Sequence, residues 1–183
     1  MTALERFTAG MIGLSMWAAQ VHPPASADIA DFQKRVANYL KVRKSAASAV
    51  PALEATDSPE KIRDHERDLA LAIRAARPGA AQGDIFTTAI AAEFRRTIQT
   101  AFSGRGAAGI KKSMMDSQPS PLPQIAVDAA YPGDEPVQSM PPSLLRQLPP
   151  LPRELEYRVV GRALILRDIE ANLIVDYINE ALH

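Results

Sequence analysis

The chain has no cysteine among its 183 residues. Disulfides, thiolate zinc sites and a cysteine nucleophile are therefore excluded by composition. Histidine is scarce too, at three copies, and His22, His65 and His183 stand far apart with no second imidazole at ligand spacing. Net charge is missing as well, since 21 Lys/Arg balance 21 Asp/Glu. Neither a basic excess nor a basic stripe is present to neutralise phosphates, which argues against a nucleic-acid partner. Long apolar runs are also lacking. The stretch at 8–21 falls short of the roughly 20 apolar residues that a bilayer core requires, so no permanent membrane span is expected.

That short stretch has another use. Arg6 precedes it, and it ends in a helix-breaking segment, His22-Pro23-Pro24, followed by Ala25-Ser26-Ala27. A basic start, a short apolar middle and an A-x-A site are the parts of a secretory signal. Residues 1–27 are therefore expected to be a signal peptide cut after Ala27, giving a periplasmic or secreted protein. The alternative is a retained amphipathic helix that packs or lies on a membrane surface.

Residues 28–116 read as a helical region. Ile29, Phe32, Val36, Tyr39 or Leu40, and Ala47 recur at steps of three and four, the period of an amphipathic helix, and Pro51 ends it. Ser58 can cap a second helix, with Pro59 at its first position and Glu60 near the positive end of its dipole. Ile62, His65, Leu69, Ile73 and Ala76 form its stripe, and Arg77-Pro78-Gly79 stops it. A third helix, capped by Asp84 or Thr87, carries Ile90, Phe94, Ile98 and Phe102, and a short fourth covers about 107–115.

Ten of the fifteen prolines fall between Pro119 and Pro152, so residues 117–152 form a proline-rich connection without long helices. Within it Ile125-Ala126-Val127 suits a short strand, and Pro142 to Leu148 suits one or two helical turns. A ligand for another protein's aromatic groove is a second reading of this segment.

Residues 153–183 form the β unit. A two-residue turn at Gly161-Arg162 would pair Val160 with Ala163, Val159 with Leu164, Arg158 with Ile165, Tyr157 with Leu166 and Glu156 with Arg167. Leu155, Tyr157, Val159, Leu164 and Leu166 then share one face, and the other sets Glu156 opposite Arg167. Leu173 to Ile178 supplies a third strand by its β-branched content. The expected fold class is α+β, mainly helical: three to four amphipathic helices, a proline-rich segment and a small antiparallel three-stranded unit packed with the helices as one domain.

Charge is divided unevenly along this order. Residues 28–115 hold fifteen Lys/Arg against ten Asp/Glu, and residues 116–183 hold five against ten. Either the halves dock within one chain or chains associate head to tail.

Catalytic and metal-binding patterns are incomplete wherever they begin. Asp64, Glu66 and Asp68 surround His65, but on a helix their side chains diverge; only Asp68 is a turn away. Asp168-x-Glu170-x-Asn172 has the first offsets of a calcium loop, yet Leu173 stands where glycine is needed and Asn179 where a bidentate glutamate is needed. Gly104, Gly106 and Gly109 lack the βαβ context of a dinucleotide site. No catalytic, cofactor-binding or metal-ligating residue is assigned and no cofactor is expected.

Three strings, AARPGAAQGDIFTTAIAAEFRR at 75–96, VQSMPPSLLRQLPPLPRELEYRVVGRALILRD at 137–168 and ANLIVDYI at 171–178, resemble a group of small exported bacterial proteins of unknown function. Residues 155–178 are also similar to RcnB-like periplasmic modules, where a Tyr-Arg/Tyr-Val-Val hairpin, an aspartate and an Ile-Val strand recur. These resemblances imply an envelope location and a small β unit, not metal binding. The expected function is non-enzymatic, by contact with another envelope protein or with itself; the alternative is a small-molecule or metal-binding envelope module.

Overall fold

The computed structural model describes residues 26–103, 107–109, 112, 124–132 and 140–182. Helix α1 spans Ala27–Ala47, with the Ser26 hydroxyl accepting from the Ile29 amide at its start. Such a cap satisfies one of the amides that a first helical turn leaves without a partner. Helix α2 spans Pro59–Ala76, capped by Ser58 with Pro59 leading, and α3 spans Thr88–Ser103. Of the two caps considered for α3, Thr87 serves, its Oγ1 accepting from the Ile90 amide, whereas Asp84 closes the preceding turn on the Ala81 amide. Residues 107–109 and 112 are helical, and the rest of the expected fourth helix lies outside the described residues. A single helical turn, Pro142–Leu145, follows in the proline-rich segment.

Strands β1 (Leu155–Val160), β2 (Ala163–Asp168) and β3 (Leu173–Ile178) form an antiparallel sheet in the order β1-β2-β3. The fold is thus α+β and mainly helical. Every hairpin pair read from the sequence is formed. Gly161 takes φ +59° while Arg162 does not have positive φ, the pattern of a type II′ turn that only glycine enters without strain at its first central place.

One face of the sheet packs on the helices. Leu155, Tyr157, Val159, Leu164, Leu166, Leu173 and Val175 join the helical stripes in one buried cluster. At its centre Phe32, Phe86, Phe94 and Tyr157 meet ring to ring, with the Phe32 and Phe94 centroids 5.1 Å apart.

The second face departs from its expected polar character. Val160, Ile165 and Ile174 form a smaller buried cluster there with Tyr131. The cause lies in β2, a central strand that is apolar on consecutive residues and so needs cover on both sides. Residues 125–131 provide it, though not as the strand expected at Ile125 to Val127. The chain turns there instead, with Asp128 at φ +62°, and bridges β3 further on through Ala130. Asp128 N donates to Ile174 O, Ile174 N to Ala129 O and Tyr131 N to Asn172 O, which closes part of the outer edge of β3.

Candidate functional site

The residues with chemical potential are gathered at the seam between helices and sheet. Register places Asp168 opposite Leu155, on the face turned to the helices. It is fully buried. A carboxylate in such a place must be ligated, because an isolated buried charge is very costly. Tyr39 Oη donates to its Oδ2 at 2.8 Å, Arg43 Nε donates to the same oxygen at 2.6 Å, and the Ala171 amide donates to Oδ1 at 3.0 Å. Tyr39 and Arg43 are one turn apart on the buried stripe of α1, so a single helix presents both donors.

The network continues outward. Arg43 Nη2 donates to Glu170 Oε2, and His65 Nε2 lies 3.1 Å from Glu170 Oε1. The turn between β2 and β3 is thereby held by α1 and α2 together. Its hydrogen bond to Arg43 pulls Glu170 below the ordinary carboxylate value, burial opposing and His65 assisting.

Alongside, the Arg77 guanidinium stacks 5.3 Å from the Tyr39 ring centroid and donates to Val175 O. Its Nη1 lies 3.4 Å from Asp128 Oδ1, near enough for charge attraction yet without a hydrogen bond. Burial pushes Asp128 up while Arg77 and Arg74 pull it down. Arg74 Nε donates to Asp128 O at 2.7 Å. The basic front and acidic rear therefore attract within one chain, through Arg43, Arg74 and Arg77 on one side and Asp168, Glu170 and Asp128 on the other.

A second buried acid, Asp176, organises the loop before α3. Oδ1 accepts from Gly83 N at 3.0 Å, and Oδ2 from Ile85 N at 2.8 Å and Phe86 N at 2.7 Å. A bulge makes this possible. Leu166 pairs with Asp176 but Arg167 pairs with Ile174, so Val175 is the extra residue, and both Val175 and Asp176 turn to the helical side.

The residues singled out from sequence are brought together only in part. His65 and Asp168 are linked through Glu170 and Arg43, whereas Asp64 and Asp68 pair with Arg67. Asn172 does not complete a loop with Asp168 and Glu170; its side-chain oxygen accepts from Arg167, and its amide donates to Tyr131 O. Among the described residues no group of three or more His, Asp or Glu converges as metal ligands. Nor is any described helix long and apolar enough to cross a membrane. The sequence reading missed Arg43 and Asp176.

Two buried phenols shape the response to pH. Burial raises Tyr39 well above its ordinary value near 10, with Asp168 adding to the effect, and burial alone raises Tyr157. A group with a raised folded pKa contributes stability that is complete below its unfolded value and is lost as pH rises towards the folded one. Glu170 acts in the opposite sense. Its contribution is present above its unfolded value near 4.5 and is lost as pH falls through the lower folded value. The urea midpoint is therefore expected to hold a plateau at neutral pH and to fall steeply above about pH 10. Glu170→Gln should flatten only the acid limb, by no more than about 1 kcal/mol because that side chain is half exposed. An unchanged midpoint from pH 9 to 12 would refute the tyrosine assignment.

A groove of about 510 Å³ lies elsewhere on the sheet, lined by Met140, Leu145, Pro149, Leu151 and β1 residues 155–158. Tyr157 Oη donates to Pro149 O at 3.0 Å and ties the proline wall to the strand. No protein-family model, curated protein or solved structure matches the chain.

Proposed function

We propose that the protein is exported and acts, without catalysing a reaction, by contact with another protein of the bacterial envelope. The observation that carries this reading is the groove beside β1, where Leu145 remains 47% exposed among prolines. An apolar, backbone-poor wall next to a strand is a surface suited to a peptide. The buried acids support the same reading, since Asp168 and Asp176 are each ligated by tyrosine, arginine or backbone donors and hold elements together. The likeness of residues 155–178 to RcnB-like modules and the signal-like residues 1–27 support the envelope location. Neutralisation of charge inside the chain favours a different protein over a second copy as partner.

Native mass spectrometry of the protein recovered from the envelope fraction of a bacterial host tests this. The expected spectrum is a mass starting at Asp28 with no adduct. An intact Met1 mass would sink export. A stoichiometric adduct would put the small-molecule or metal-binding module first.

A further inference from the structure

We propose that the groove along β1 receives an extended segment of a partner protein, in which an acidic residue flanked by apolar residues comes to lie opposite Arg158. This rests on the contact reading above and gives the partner its chemistry. The lining takes residues from both faces of β1 and none from β2, which sets the groove along the outer edge of the strand. In a hairpin closed by a two-residue turn, Val160, Arg158 and Glu156 exchange hydrogen bonds with β2, and the N–H and C=O of Tyr157 and Val159 point to that outer edge. No described residue bonds the Tyr157 amide. Val159 is fully buried and Tyr157 is only 4% exposed, so an incoming strand reaches this edge only from within the groove that Tyr157 lines, and not along its whole length.

The walls fix what fits. Pro149 and Pro150 have no N–H with which to compete for an incoming strand, while Met140, Leu145 and Leu151 offer apolar surface. Side chains of an added strand alternate between faces, so a residue beside Arg158 on the outer face has neighbours directed to the apolar wall. Charge selects that residue. Arg158 Nε is buried and lies 2.8 Å from Glu156 Oε1, out of line for a hydrogen bond, and so lacks an acceptor. Glu156 Oε1 already accepts from Arg167 Nη1 at 2.8 Å. Two cations thus share one anion, and a further carboxylate would meet the Arg158 guanidinium from the exposed part of that side chain, its Nε being closed to solvent.

The test uses two acetylated, amidated nonapeptides of alternating valine and threonine, one with a central Leu-Glu-Leu and one with Leu-Lys-Leu, titrated against the full chain by calorimetry. The glutamate peptide should bind at least about tenfold more tightly, the size of one charge-assisted hydrogen bond. Arg158→Glu should reverse the order, and Tyr157 N–H should gain protection from hydrogen exchange on binding. Should Arg158→Glu not fold, Arg158→Met should bring the two affinities within about threefold. Absence of binding, equal binding of both peptides, or an unchanged order in the variants would overturn the proposal. Such a failure alongside an adduct-free mass starting at Asp28 would remove the groove's ligand alone; an adduct or an intact Met1 mass would remove the contact or export reading beneath it.

Discussion

Asp168→Ala is expected to lower the melting temperature by roughly 6–20 °C, and Arg43→Met to do nearly the same. The carboxylate is fully buried and takes donors from Tyr39, Arg43 and Ala171, so its removal leaves the Tyr39 phenol without its acceptor and the Arg43 guanidinium with Glu170 alone. Breaking one side of a buried ion pair costs about 3–5 kcal/mol, and each kilocalorie is worth about 2–4 °C in a chain of this size. Replacing both partners, as Arg43→Met with Asp168→Leu, should recover part of the loss, because no orphaned charge then remains in the interior, while the Tyr39 hydroxyl and the Ala171 amide still lack their acceptor. Thermal unfolding followed by circular dichroism decides it. A shift of less than about 2 °C for Asp168→Ala would mean that the pair does not hold the seam closed.

Asp176→Ala should be the other severe substitution, at about 3 kcal/mol or more. Four amides, those of Gly83, Ile85, Phe86 and Tyr177, lose their acceptor together, and Ile85 and Phe86 are buried. An unsatisfied buried amide costs about 1–3 kcal/mol, and Gly83, nearer the surface, can turn to water. Asp176→Asn keeps one acceptor oxygen and should lose less. Hydrogen exchange gives the local reading: the amides of Ile85 and Phe86 should exchange faster in Asp176→Ala, while those in the β1-β2 ladder keep their relative order. Equal loss of protection throughout would point to general unfolding, not to an anchored loop.

How much of this could be read beforehand differs from one strand to the next. The hairpin was legible because its information is local: a glycine-led turn sets the register, and register sets the faces. Asp168 reads from sequence as the start of the polar turn to Asn172; carrying the alternation one pair further puts it with Leu155, Leu164 and Leu166 on the buried face. Its partner was legible too, though less openly. Arg43 interrupts the stripe Phe32, Val36, Tyr39, Ala46, and a cation on an apolar stripe asks for an anion on the surface it meets.

Asp176 was hidden for a different reason. Strict alternation from Leu173 and Val175 would put Tyr177 inside and Asp176 outside, and the bulge reverses that phase by one residue. Nothing local to LIVDYI announces a bulge, because three of the four backbone amides that hold Asp176 inside belong to a loop some ninety residues earlier in the chain. The strand expected at Ile125 to Val127 misled for a related reason. Its apolar residues cover a sheet face, but backbone pairing with β3 is taken up at Asp128 to Tyr131. The groove by β1 could not be foreseen, since it is assembled from a helical turn, a proline pair and a strand edge that have no shared periodicity.

If the protein is exported as proposed, the first turn of α1 bears on the order of events. The bond after Ala27 lies within that turn, one residue past the Ser26 hydroxyl that closes it. A protease that reads small residues in an extended backbone has no access to a peptide bond wound into a helix. On the exported reading, the leader is therefore removed from a chain that has not yet folded there, and the finished helix starts at Asp28 with an acidic side chain, favourable at that end of the dipole, in place of its serine. On that reading maturation and folding compete for one peptide bond, and a precursor that folds early would protect its own leader from removal.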